Sequence, residues 1–125
     1  MRQLQVVVID DHKLMRDAVR VSLEREDDFS VVADAESAEN LTSLVGQTGA
    51  DVVLLDVRMP GVDGLSLLKS LRDVGVRTPI FVMTGYDSTQ VAVEAMEFGA
   101  TGYLPKPFDL MHLDRLLTQA LDQAA

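Results

Sequence analysis

Cysteine is absent from the 125-residue chain. That excludes a disulfide framework and any thiolate metal site. No apolar run approaches the ~20 residues that a helix needs to span a bilayer. A signal-peptide pattern is missing too, because Met1-Arg-Gln-Leu-Gln leads straight into strand-like Val6-Val-Val-Ile9. Cytoplasm is therefore the expected location, with no membrane partner. Positive charge is scarce: 11 Lys and Arg stand against 20 Asp and Glu, a net charge of −9. A nucleic-acid surface needs clustered basic side chains, so direct nucleic-acid binding by this chain is not expected. Partners with basic patches, or a cation, suit it better. Neither G-x-G-x-x-G nor G-K-[ST] occurs, which excludes a dinucleotide fold and a P-loop. There is also no repeat, linker or low-complexity segment, and one domain over residues 1–125 is expected.

What the chain does have is apolar residues, 47% of the total, as in a globular protein. It is organised around Asp51-Val-Val-Leu-Leu-Asp-Val-Arg-Met-Pro-Gly-Val-Asp-Gly64. Val52 to Leu55 is apolar at every position, as a strand covered on both faces requires. Asp56 then sits where that strand leaves the core. Met59-Pro60-Gly61 reads as loop, and Gly64 opens a helical pattern of Leu65, Leu67, Leu68 and Leu71.

Four more apolar runs read as strands: Val6 to Ile9, Phe29 to Ala33, Ile80 to Met83, and Thr101 to Leu104 closed by Pro105-Lys106-Pro107. Between and after them the helical period recurs. Leu14, Met15, Ala18, Val19 and Leu23 mark one helix, and Glu39 to Val45 a short second one. A further helix covers about Ser88 to Phe98 and is stopped by Gly99. Leu110, Leu113, Leu116, Leu117 and Leu121 mark a last helix, with Asp109 as N-cap. Five strands alternating with five helices predict an α/β fold with a doubly wound parallel sheet of flavodoxin-like order 2-1-3-4-5. The methionines at 15, 59, 83, 96 and 111 fall mostly on apolar positions and read as core filling.

On that topology Asp10 and Asp11 end the first strand, Asp56 the third, Thr84 the fourth and Lys106 the fifth. All lie at one edge of the sheet, around the switch point where ligands bind in open α/β sheets. Three carboxylates packed together repel; at ~4 Å and an effective dielectric of about 20, each like pair costs roughly 4 kcal/mol before relaxation. Lys106 offsets part of that, and a hard divalent cation would offset more. An all-oxygen donor set without Cys or a His cluster suits Mg²⁺. Mg²⁺ and a lysine beside a carboxylate form an arrangement for phosphoryl transfer. The carboxylate can itself be the nucleophile and yield an acyl phosphate.

Each residue also has a duller role available. Asp10 and Asp11 can cap the first helix, and Asp56 can be a turn acid before Pro-Gly. Thr84-Gly85 can be a plain strand exit, Lys106 a solvated edge residue, and Tyr103 partial core. His12 is placed at the rim of the site and His112 on a helix surface, both exposed. The duller roles do not account for all these residues falling together at one sheet edge.

In this setting the chain resembles the receiver domain of bacterial two-component response regulators over its whole length. The likeness rests on Val-Val-Val-Ile-Asp10-Asp11, Leu-Leu-Asp56-Val-Arg-Met-Pro60-Gly-Val-Asp-Gly64, Val-Met-Thr84-Gly, and Gly-Tyr103-Leu-Pro-Lys106-Pro107-Phe, in that order. The resemblance implies that Asp56 accepts a phosphoryl group from a phosphohistidine on a sensor kinase or histidine phosphotransfer protein. It implies that Asp11 and Asp56 hold Mg²⁺, with Asp10 assisting and the Arg58 backbone carbonyl as a further ligand. Lys106 would pair with the phosphoryl group. Thr84 and Tyr103 would couple phosphorylation to the face made by the helix near 88–98, the fifth strand and the last helix. That face would meet a downstream effector or a second copy of the chain. Arg58 and Tyr86 flank the site and are expected to tune the lifetime of the acyl phosphate. On this reading the chain is a signalling phosphoacceptor, not an enzyme. Two other readings use similar residues. A haloacid-dehalogenase-type phosphatase would place its two acids one residue apart after strand one, where here they are adjacent, and would need a larger chain. A phosphate-independent interaction module would have no use for Asp56, Thr84 and Lys106 together.

Overall fold

The computed structural model describes residues 4–25, 29–35, 49–59, 62–85, 89–106 and 110–124. In chain order its elements are β1 (Leu4–Ile9), α1 (Lys13–Glu24), β2 (Phe29–Ala35), β3 (Val52–Asp56), β4 (Arg58–Met59), β5 (Val62–Asp63), α2 (Gly64–Asp73), β6 (Ile80–Gly85), α3 (Thr89–Glu97), β7 (Gly102–Lys106) and α4 (Leu110–Ala124). The five long strands form one parallel sheet in the order β2-β1-β3-β6-β7. This is the expected 2-1-3-4-5 arrangement. The described residues contain four helices, and the short helix expected over 39–45 lies outside them. None of the described helices is long and apolar enough to cross a membrane.

The all-apolar strands are explained by two cores, one on each face of the sheet. Val7, Ile9, Val53, Leu55 and Val82 pack with Leu65, Leu68 and Leu71 of α2 and Ala95 of α3. Val6, Val8, Leu54, Phe81 and Met83 pack with Val19 and Leu23 of α1 and Leu113 and Leu117 of α4. Successive strand residues point to opposite faces. A strand covered on both sides must therefore be apolar at every position, as β3 is.

Four features depart from the sequence reading. In α1 the buried residues are Val19 and Leu23 with Met15 partly buried, while Leu14 and Ala18 face outward. Residues 15, 19 and 23 are spaced by one turn each, and that narrower stripe is enough to cover the edge of the sheet. Met96 and Met111 are exposed rather than core. Met59 belongs to a two-residue antiparallel ladder, in which Arg58 pairs with Asp63 and Met59 with Val62. β7 also runs on through Pro105 to Lys106. A proline is tolerated there because β7 is an edge strand, with one side free of ladder bonds.

The opposite edge of the sheet is tied by side chains. Asp51 Oδ2 accepts from the Gln5 N–H at 2.8 Å, and the Asp51 N–H donates to the Gln5 carbonyl at 2.8 Å. Thr101 Oγ1 accepts from the Ile80 N–H at 3.1 Å. These bonds fix where the strands start, and so where their other ends fall.

Candidate functional site

Register brings the acids together. β1 and β3 are neighbours, and Ile9 is paired with Leu55. The next residue on each strand is therefore an aspartate, Asp10 beside Asp56. Asp56 in turn is level with Met83 of β6, and Thr84 follows. Among the described residues, the buried polar or charged residues are Asp10 (0% exposed), Asp56 (4%) and Thr84 (3%). All three lie at this one edge, where the sheet order reverses. Burying carboxylates is expensive unless they are paired or bound. Their concentration at the switch point makes this edge the candidate functional site.

The loop after β1 is tightly held. His12 is the N-cap residue of α1, with extended backbone and no side-chain capping bond. The carboxylates of Asp10 and Asp11 are thus not the caps of this helix. Asp10 Oδ1 instead accepts from the His12 backbone N–H at 2.9 Å. Arg16, one turn into α1, donates from Nη1 to the Asp10 carbonyl at 2.7 Å. Asp11 Oδ1 is shielded from solvent and has no hydrogen-bond partner among the described residues. The His12 ring nitrogen is 3.1 Å away without forming a hydrogen bond to it; a buried oxygen left so is costly, and a cation would satisfy it.

One donor atom from each of Asp10, Asp11, His12 and Asp56 lies within 4.8 Å of the others. The carboxylate part of that set fits a hard divalent cation such as Mg²⁺, and the orphaned Asp11 oxygen is the observation that carries the fit. Asp11, Asp10 and Asp56 would hold the ion.

The remaining predicted residues are placed as follows. Lys106 ends β7 and is paired with Gly85, two residues beyond the row of Asp56, Met83 and Leu104. It therefore reaches the same edge. Arg58 lies in β4, two residues past Asp56. Tyr103 sits within β7, paired with Val82, and is 45% exposed. It borders a groove of about 420 Å³ with Ala92, Val93 and Met96 of α3. Tyr86 lies outside the described residues.

Sequence reasoning missed Arg16, which holds the Asp10 carbonyl, and the closeness of His12 to both acids. It named Gly64 as the opening of a helix but not the reason that position needs glycine. A Cβ at Gly64 would lie 2.5 Å from Val57 Cα and 3.0 Å from the Asp56 carbonyl oxygen. Only glycine lets α2 begin this near the backbone of Asp56. The available signals were the run Asp-Asp-His and a glycine opening a helix, both too common to single out.

Comparison with known proteins places the fold in a family. The family model for the response regulator receiver domain matches residues 6–118. The nitrate/nitrite response regulator protein homolog of Haemophilus influenzae is 41% identical over 104 residues, covering 83% of this chain and 50% of its own length. The transcriptional regulatory protein FixJ of Bradyrhizobium diazoefficiens is 39% identical over 119 residues, covering 95% and 57% respectively. Among solved structures, the Francisella response regulator 1452 receiver domain superposes with a TM-score of 0.85 at 27% identity, covering 98% of this chain and 100% of that one. The chain spans about half the length of the first curated relatives it matches.

Proposed function

Because the chain belongs to the response regulator receiver domain family of two-component systems, we propose that Asp56 is its phosphoacceptor. The donor is a phosphohistidine on a sensor kinase or a histidine phosphotransfer protein. A carboxylate oxygen of Asp56 attacks phosphorus, the O–P bond forms as the N–P bond breaks, and the departing imidazole keeps the electron pair and takes a proton. The product is an acyl phosphate on Asp56. Supporting this is the burial of Asp56 at the end of the central strand, beside Asp10 and within reach of Asp11.

Asp56 is a good acceptor because β3 fixes its direction and the core behind it excludes water. Mg²⁺, held by Asp10, Asp11, Asp56 and the Arg58 carbonyl, would neutralise charge on the incoming phosphoryl group. The Lys106 ammonium offsets a further negative charge on the product. The Thr84 hydroxyl donates to a phosphoryl oxygen, which draws Thr84 toward Asp56. Tyr103 then turns inward behind it, and the surface of α3, β7 and α4 changes its partners. The output is a downstream effector domain or protein, or a homodimer of the phosphorylated chain. The chain works in the cytoplasm and assists its own phosphorylation and dephosphorylation, without acting as a turnover enzyme.

The test is exposure to acetyl phosphate with and without Mg²⁺, read by intact-protein mass spectrometry. A single phosphoryl adduct that needs Mg²⁺ and vanishes in Asp56→Asn is expected. Sustained turnover of phosphate esters would favour a phosphatase of the haloacid-dehalogenase type. No adduct under any condition would favour a phosphate-independent module.

A further inference from the structure

The acids of the site share their space with a nitrogen. His12 Nδ1 lies 3.1 Å from Asp10 Oδ1 and 3.1 Å from Asp11 Oδ1. The side chain is otherwise open to water, at 67% exposure. The imidazole is folded back over the two acids while most of the side chain stays exposed.

The spacing has a specific meaning. Adjacent ligands around an octahedral ion with bonds of about 2.1 Å are about 3.0 Å apart. Nδ1 therefore already stands at ligand-edge distance from two carboxylate oxygens. All four donor atoms of the cluster fall within 4.8 Å of one another. Asp11 Oδ1, one of the two oxygens facing Nδ1, has no hydrogen-bond partner among the described residues. Without a metal, a proton on Nδ1 can bridge to Asp10 Oδ1. With one, the ion takes that proton's place and the ring's remaining N–H faces solvent.

The backbone holds the imidazole there. His12 is the N-cap residue of α1, and its carbonyl accepts from the Arg16 N–H at 3.0 Å. Its own N–H donates to Asp10 Oδ1. The side chain is thus anchored at the root by the same loop that carries the two acids.

Imidazole is a poor match for Mg²⁺ and a good one for Zn²⁺, Ni²⁺ and Co²⁺. We propose that His12 Nδ1 is a ligand in this pocket for first-row divalent ions that favour imidazole, strengthening their binding beyond what the carboxylates alone supply, while taking no part in holding Mg²⁺. The inference deepens the proposed function, since it rests on the same carboxylates forming a metal site. It makes occupancy of that site depend on which divalent ion is present, with His12 engaged by one class and idle for the other.

The chain has two histidines, so His112 on α4 provides an internal control. Calorimetric titrations at pH 8 with Mg²⁺ and separately with Co²⁺ would compare wild type, His12→Ala, His112→Ala and Asp11→Asn. A lost ligand should weaken binding by at least about ten-fold, the lower end of what even supporting residues of metal sites contribute. The expected result is such a loss for Co²⁺ in His12→Ala, with Mg²⁺ affinity changed by less than about two-fold, neither ion affected in His112→Ala, and both weakened in Asp11→Asn. Zn²⁺ added to protein with ¹⁵N-labelled histidine should also shift the His12 Nδ1 resonance and leave His112 in place. Unchanged Co²⁺ affinity in His12→Ala would overturn the proposal. So would equal losses for both ions, which would make His12 a loop-positioning residue only. Failure of wild type to bind Mg²⁺ at all would instead count against the proposed function, while leaving the Co²⁺ comparison to decide the role of His12.

Discussion

The Gly64 N–H donates to the Val57 carbonyl at 3.2 Å, and at that approach there is no room for a side chain on Gly64. The relationship matters because Val57 directly follows Asp56. The start of α2 is thereby pressed against the backbone that presents Asp56, the proposed acceptor. In Gly64→Ala the new Cβ would meet Val57 Cα at 2.5 Å, and backbone yields less readily than a side chain. Overpacking of this kind costs about 1–3 kcal/mol. Urea unfolding should show a lower midpoint in Gly64→Ala, together with slower phosphoryl uptake. An unchanged midpoint would mean that α2 shifts away freely.

Arg72 ties the far side of the molecule. Its Nε donates to the Gly99 carbonyl at 2.9 Å, and its Nη1 donates to the carbonyls of Val76 at 2.8 Å and Thr78 at 2.9 Å. One guanidinium so joins the end of α2, the turn after α3 and the entry to β6. Burial, with the nearby charge of Arg77 adding to it, lowers its pKa from the ordinary arginine value, yet an arginine stays charged at any working pH. A hydrogen bond to a charged group contributes about 1.5–3 kcal/mol. Arg72→Ala should therefore lower stability by at least that much in urea unfolding. Lys13→Ala, which breaks the exposed pair with Asp17, should leave the unfolding midpoint nearly unchanged, because solvent screens such a pair. Equal effects would contradict this assignment.

The sheet and its order were legible because every inner strand is apolar throughout, a pattern that only a doubly covered strand tolerates. Asp10, Asp56 and Thr84 were legible as a site because each ends such a strand. The inner face of α1 was not. Leu14 and Ala18 fit the helical period as well as Met15, Val19 and Leu23 do, and only the position of the sheet decides between them. Met96 and Met111 look like core by composition, yet both stand exposed, and Met96 borders the groove beside Tyr103. Proline at 105 reads as a strand end, and only the edge position of β7 lets the strand continue to Lys106. His12 could be placed near the site from its position in the chain. The direction of its ring could not, because that depends on backbone angles at the N-cap.

Thr84 is buried and Tyr103 is half exposed, which sets up a direct test of coupling between them. The chain has no tryptophan and two tyrosines, so in a Tyr86→Phe background the intrinsic fluorescence reports Tyr103 alone. Adding beryllofluoride and Mg²⁺ should reduce quenching of that fluorescence by acrylamide. Thr84→Val keeps the shape of the side chain and removes the hydroxyl. It should still take up the phosphoryl group from acetyl phosphate, and quenching should stay at the unliganded level. A normal Tyr103 response in Thr84→Val would show that the hydroxyl does not carry the signal.

Arg58 follows the proposed acceptor Asp56 by two residues, in the ladder after β3, and Tyr86 follows Thr84 by two. On the proposed function both are candidates for setting how water reaches the acyl phosphate. Arg58→Ala and Tyr86→Ala should each alter the decay rate of phosphorylated protein, followed by loss of the adduct mass after the phosphodonor is removed. Unchanged decay in both would remove any rate-setting role from these two residues.

The most direct test of the whole account locates the phosphoryl group by residue. An aspartyl phosphate is reduced by borohydride to homoserine, whereas a phosphate ester on Ser, Thr or Tyr is not. The protein would be phosphorylated with acetyl phosphate and Mg²⁺, reduced, digested and sequenced by mass spectrometry. Homoserine at position 56 and nowhere else is the predicted result. Homoserine at Asp10 or Asp11, or a phosphate that survives reduction on a hydroxyl side chain, would contradict it.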